Sequence, residues 1–116
     1  MSDETMDLMI KHDSYLVPTI IAGKEVVKKA KIKGYFPEMI VPKALAIGPK
    51  SQETFSKAYK KGVKIAFGTD AGVFDHGKNG EEFGYMVEAG MPAIETIQSA
   101  TLTNASVLGV SDELGQ

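Results

Sequence analysis

The 116-residue sequence has no cysteine, so it can form neither a disulfide framework nor a thiolate metal cluster, and it has no tryptophan. It lacks any apolar run near the roughly 20 residues needed to cross a bilayer. The acidic start Ser2-Asp3-Glu4 lacks the basic-then-apolar order of a secretory signal. With a formal charge of −2 there is no basic excess to attract nucleic acid. A Gly-rich phosphate loop, a Gly-x-Ser-x-Gly elbow and the H-x-H and H-E-x-x-H metal patterns are all missing. The expectation is a cytoplasmic, soluble protein with no nucleic-acid or membrane partner. Its 43% hydrophobic and 24% charged residues fit one globular unit spanning residues 1–116. A chain of this length buries roughly 65% of its unfolded surface, which leaves little margin for missing pieces.

What is present reads as helix, strand, helices, strand, helices. Ser2 is positioned to cap a helix to Lys11, with Met6, Met9 and Ile10 as its buried stripe and His12 at its C-terminal end. Tyr15 to Ile21 is a β-rich apolar run of the kind covered on both faces in a parallel sheet, although Pro18 confines it to an edge or an end. Gly23 marks its exit. Lys24 to Lys33 alternates lysines with Val26, Val27, Ala30 and Ile32, a solvated helix face that Gly34 stops. Pro37, Pro42 and Pro49 predict an insertion holding one short helix near Pro42–Ala46. Ser51 then caps a separate helix to Lys61, with Phe55, Ala58 and Tyr59 inward and Gly62 as its stop.

Val63 to Gly68 is the second strand, and it runs into Thr69-Asp70-Ala71-Gly72. Reacting groups in parallel α/β folds gather at the C-terminal ends of strands, and Asp70 falls there among small residues that let a ligand approach. A carboxylate at that place serves as metal ligand or general base; the competing reading is an Asp that only turns the chain through its own backbone. His76, on the glycine-rich loop that follows, either faces a substrate at Asp70 or is an ordinary loop histidine. The next helix runs from Glu81 to Ala89 with Phe83, Met86 and Val87 inward, leaving Glu81, Glu82 and Glu88 as surface acids. Pro92 opens a helix to Ser99 with Ile94 and Ile97 inward, and Thr103 or Asn104 caps a final short one. Met6, Met9, Met39, Met86 and Met91 read as core filler.

Gly62 to Gly72 resembles the final barrel strand of the amidohydrolase superfamily, closest to its Xaa-Pro dipeptidase and imidazolonepropionase-like branch. Tyr15-Leu16-Val17-Pro18-Thr19 is similar to the seventh strand of that branch. Phe36 to Ser51 resembles its following insertion, and Glu82-Phe83 with Gly90-Met91-Pro92 resembles the segment after the Asp strand. Ile97-Gln98-Ser99-Ala100-Thr101, Asn104-Ala105 and Leu108-Gly109 resemble its C-terminal barrel helices. The resemblance implies α/β architecture in the form of a partial TIM (β/α)8 barrel, comprising strands seven and eight with their helices. It further implies a hydrolase that uses a divalent metal, usually zinc, to cleave amide or peptide bonds, a dipeptidase in full-length form.

In that family the aspartate ending the eighth strand contacts the metal and takes a proton from the attacking water, a role only Asp70 inherits here. The family's other ligands, from the first, fourth, fifth and sixth strands, have no counterparts in residues 1–116. Asp112 to Gln116 resembles the point where the family's chain continues into a small β-sandwich, which is absent. The expectations that follow are an inactive isolated chain, no tightly bound metal, and self-association or pairing with the missing barrel part. The alternative is a non-catalytic interaction or structural module derived from a barrel.

Overall fold

Ser2 Oγ accepts the Thr5 N–H at 3.2 Å, and with Asp3 and Glu4 in the first turn it starts helix α1, Asp3–Lys11. The computed structural model describes residues 1–116. Only Met6 of the α1 stripe is fully buried; Met9 is half-buried and Ile10 is exposed. His12 ends the helix with its N–H on the Leu8 carbonyl, and Asp13 turns the chain at φ 52° into strand β1, Tyr15–Leu16.

The expected strand to Ile21 is cut short. Pro18 has no N–H to give a ladder, Thr19 takes a left-handed φ of 45°, and helix α2, Ile20–Ala30, begins at once. Ile20 and Ile21 are buried as the first turn of that helix, and Gly23 lies inside it. An apolar run of this length reports burial on its own, without distinguishing strand from helix.

Helix α3 is one element of 21 residues, Val41–Lys61, and it continues through Pro49. Neither a short Pro42–Ala46 helix nor a second helix capped by Ser51 exists; Ser51 Oγ donates to the Gly48 carbonyl at 2.9 Å instead. A mid-helix proline forgoes one backbone bond at a cost of about 3 kcal/mol. What offsets it is a close crossing of α2 and α3 at Gly23 and Gly48. A Cβ on Gly48 would lie 2.1 Å from Val27 Cγ2 and 2.8 Å from the Gly23 carbonyl oxygen.

Gly62, at φ 98°, closes α3, and Val63 N–H returns to the Ala58 carbonyl. Strand β2, Lys64–Ile65, then pairs in parallel with β1, Tyr15 opposite Lys64 and Leu16 opposite Ile65. Ile20, Phe55, Ile65, Met86 and Met91 form the larger core cluster, and Met6, Ala58 and Val63 a smaller one. Three of the five methionines read as core are therefore buried, whereas Met39 is 83% exposed.

Helix α4, Glu81–Glu88, is followed by α5, Ala93–Gln98, which passes through a π turn, Ser99–Thr103, directly into α6, Asn104–Val107. There is no separate cap at Thr103 or Asn104. The buried face of this run is Thr96, Ser99 and Ala105, so Ile94 and Ile97 point outward, 63% and 53% exposed, and Val87 does likewise. Leu8, Val17 and Ile47 are also exposed. Two strands make the whole sheet, and each keeps an open edge.

Candidate functional site

The strand expected to run to Gly68 is regular only over Lys64–Ile65, and beyond the ladder different groups hold each step toward Asp70. Ala66 N–H donates to the Leu16 carbonyl at 3.0 Å, the last bond to β1. Phe67 N–H is shared between the Ser99 carbonyl at 3.2 Å and Asn104 Oδ1 at 3.1 Å, and Asn104 Nδ2 donates back to the Phe67 carbonyl at 3.0 Å. Asn79 Nδ2 donates to Thr69 Oγ1 at 2.9 Å.

Asp70 follows at φ 55°, exposed, with its carbonyl accepting the Val73 N–H at 3.3 Å. A left-handed Asp is strained, though less than most residues, and glycine adopts that conformation freely. Asp70→Gly is therefore expected to raise stability by about 0.5–1 kcal/mol, read as an upward shift of the urea midpoint. A shift downward would show that the Asp70 side chain supports the fold.

His76 lies on the loop between Asp70 and α4, exposed beside Asp75. No His, Cys, Asp or Glu residues gather in threes or more to hold a metal ion, so Asp70 and His76 are not joined into a ligand set. The donors of this chain do not by themselves fit a catalytic zinc, which takes three protein ligands and a water. His12 remains an exposed residue at the end of α1.

Glu82 overturns its reading as a surface acid. It is fully buried, and its two carboxylate oxygens accept the N–H groups of Ile20 at 2.8 Å and Ile21 at 2.7 Å. Burial pushes its pKa above the ordinary carboxylate value, while the two N–H donors pull it down. The signal was present in the spacing, since Glu82 sits four residues before Met86 and so shares its face. The next residue, Phe83, stacks on Phe67 with ring centroids 4.3 Å apart. Adjacent residues of α4 thus grip the exits of both strands.

The basic run on α2 is likewise only partly a solvated face. Lys28 pairs with the buried Glu25, holding that carboxyl below its usual range, and Lys29 Nζ donates to the Val73 carbonyl on the Asp70 loop.

The sequence profile of the amidohydrolase family matches residues 1–116. The chain belongs to the amidohydrolase family. Among solved structures, a Xaa-Pro dipeptidase crystallised with methionine in its active site is 58% identical and superposes with a TM-score of 0.96. All of this chain is covered, and 29% of the dipeptidase. A second crystal structure, of an amidohydrolase, is 31% identical with a TM-score of 0.83, covering all of this chain and 28% of the other. No curated protein matches the chain. By family it is an enzyme sequence of α/β type, and it spans less than a third of the length of these amidohydrolase structures.

Proposed function

We propose that this chain is the part of an amidohydrolase (β/α)8 barrel that carries strands seven and eight, and that it contributes one corner of a divalent-metal site. The observation that carries the reading is the parallel pair β1–β2, with Asp70 at the exit of β2, in a chain that aligns along its whole length with part of a Xaa-Pro dipeptidase. In this reading β1 is strand seven and β2 strand eight, and residues 1–116 form one segment of the barrel. The full-length enzyme is a cytoplasmic, zinc-dependent hydrolase of C–N bonds in amides or peptides, with Xaa-Pro dipeptides as its substrates. Asp70 is its metal-contacting carboxylate and proton acceptor, and His76 faces the substrate.

The remaining ligands lie outside these 116 residues, so the isolated chain is inactive and holds no tightly bound metal. Its outward-facing Val17, Ile94 and Ile97 support pairing with the rest of a barrel, or self-association where that is missing. The same exposed faces support a second reading, a non-catalytic module that binds a partner chain.

The test combines the chain with the remaining barrel segments of the 58%-identical dipeptidase and supplies zinc. Hydrolysis of a Xaa-Pro dipeptide is expected to appear on mixing and to vanish with Asp70→Ala. Stable association without hydrolysis or zinc uptake would favour the module.

A further inference from the structure

We infer that Asn104 is a positioning residue for Asp70, with its side-chain amide acting as a substitute strand for the unpaired end of β2. The inference rests on the role proposed above for Asp70. The bonds from β2 to β1 end at Ala66, four residues short of Asp70. Across that gap the backbone is tied at Phe67, where Asn104 satisfies both the N–H and the carbonyl, as a neighbouring strand does in a ladder. A primary amide is the side-chain group with a donor and an acceptor side by side, so Asn is suited to this pairing in a way that Asp or Leu is not.

The π turn at Ser99–Thr103 makes the arrangement possible. It inserts its widened turn immediately before Asn104, and its first carbonyl, that of Ser99, is the second acceptor for Phe67 N–H. Such turns are uncommon and recur at functional sites. Asp70 itself holds a left-handed backbone, a state that persists where surrounding contacts over-determine it. The Phe67 clamp, the Asn79 bond to Thr69 and the Phe67–Phe83 stack are those contacts.

The test uses the 15N-labelled 116-residue chain, with Asn104→Ala, which removes both bonds, and the near-isosteric Asn104→Asp, which keeps the acceptor and loses the donor. In Asn104→Ala the Phe67 amide is expected to exchange about tenfold faster or more, the equivalent of one lost hydrogen bond. The strong intraresidue HN–Hα NOE that a positive φ gives Asp70 is expected to weaken, while the Ala66 amide, bonded to β1, keeps its protection. Asn104→Asp, which turns an acceptor toward the Phe67 carbonyl in place of the donor, is expected to weaken that NOE as well, and it decides the question if the alanine variant does not fold. An Asp70 NOE unchanged in either folded variant would overturn the inference. These readouts need no metal and no hydrolysis, so they stand apart from the success or failure of the barrel-completion test.

Discussion

Glu82→Ala is expected to lower the stability of the chain by about 3 kcal/mol or more, a large share of what a domain of this size possesses. The truncation strands two buried donors, the N–H groups of Ile20 and Ile21, and leaves a cavity beside Met86. Each buried N–H left without its acceptor costs about 1–3 kcal/mol. Glu82→Gln should lose roughly half as much, because its oxygen satisfies one N–H while its amide group faces the other. The pH dependence fixes the sign of the electrostatic part. Burial raises the folded-state pKa of Glu82 above its ordinary 4.5, so the native state holds the proton more tightly. The part of its stabilisation that is linked to protonation is fully present below 4.5 and is lost as pH rises through the raised folded value. Wild type should therefore gain on Glu82→Gln as the solution is acidified through that window, in urea melts at a series of pH values. An alanine variant with an unmoved midpoint would mean that the strand exits are held without Glu82.

Gly48→Ala is expected to destabilise by about 1–3 kcal/mol, and Gly48→Val by more, against the gain of about 1 kcal/mol that removing a mid-helix glycine brings elsewhere. The added methyl would meet Val27 Cγ2 at 2.1 Å and the Gly23 carbonyl oxygen at 2.8 Å. A side chain can be trimmed, but a backbone oxygen moves only if α2 and α3 separate. Val27→Ala in the Gly48→Ala background should therefore recover part of the loss, giving a non-zero coupling in a double-mutant cycle. A Gly48→Ala chain more stable than wild type would show that the helices do not cross this closely. Gly23→Ala should be milder, because its nearest obstacle is the Ser51 hydroxyl at 2.7 Å.

Local chemistry was legible wherever one residue settles the backbone: Ser2 starting α1, Gly62 closing α3, and the order strand, helices, strand around a parallel pair. It failed where tertiary contacts override it. Ile20 and Ile21 read as strand because their burial is evident and their helical backbone is not; Thr19 and a carboxylate 62 residues away determine the latter. Pro49 read as a helix breaker because the α2–α3 crossing that outweighs it cannot be seen from α3 alone. Ile94 and Ile97 read as inward from their spacing, yet the packed side of α5 is that of Thr96 and Ser99. Asp70 was identifiable as the acid that follows the second strand, although that strand ends at Ile65 and not at Gly68, whereas Asn104 read as a candidate helix cap and its amide pairing with Phe67 had no sequence signal.

The most direct measurement is hydrolysis of a Xaa-Pro dipeptide by the purified 116-residue chain with zinc added, compared with its Asp70→Ala variant. If Asp70 is one corner of a site whose other ligands lie elsewhere, neither protein turns over substrate, and activity appears only when the rest of the barrel is supplied. Hydrolysis by the isolated chain at a rate above the Asp70→Ala variant would contradict that.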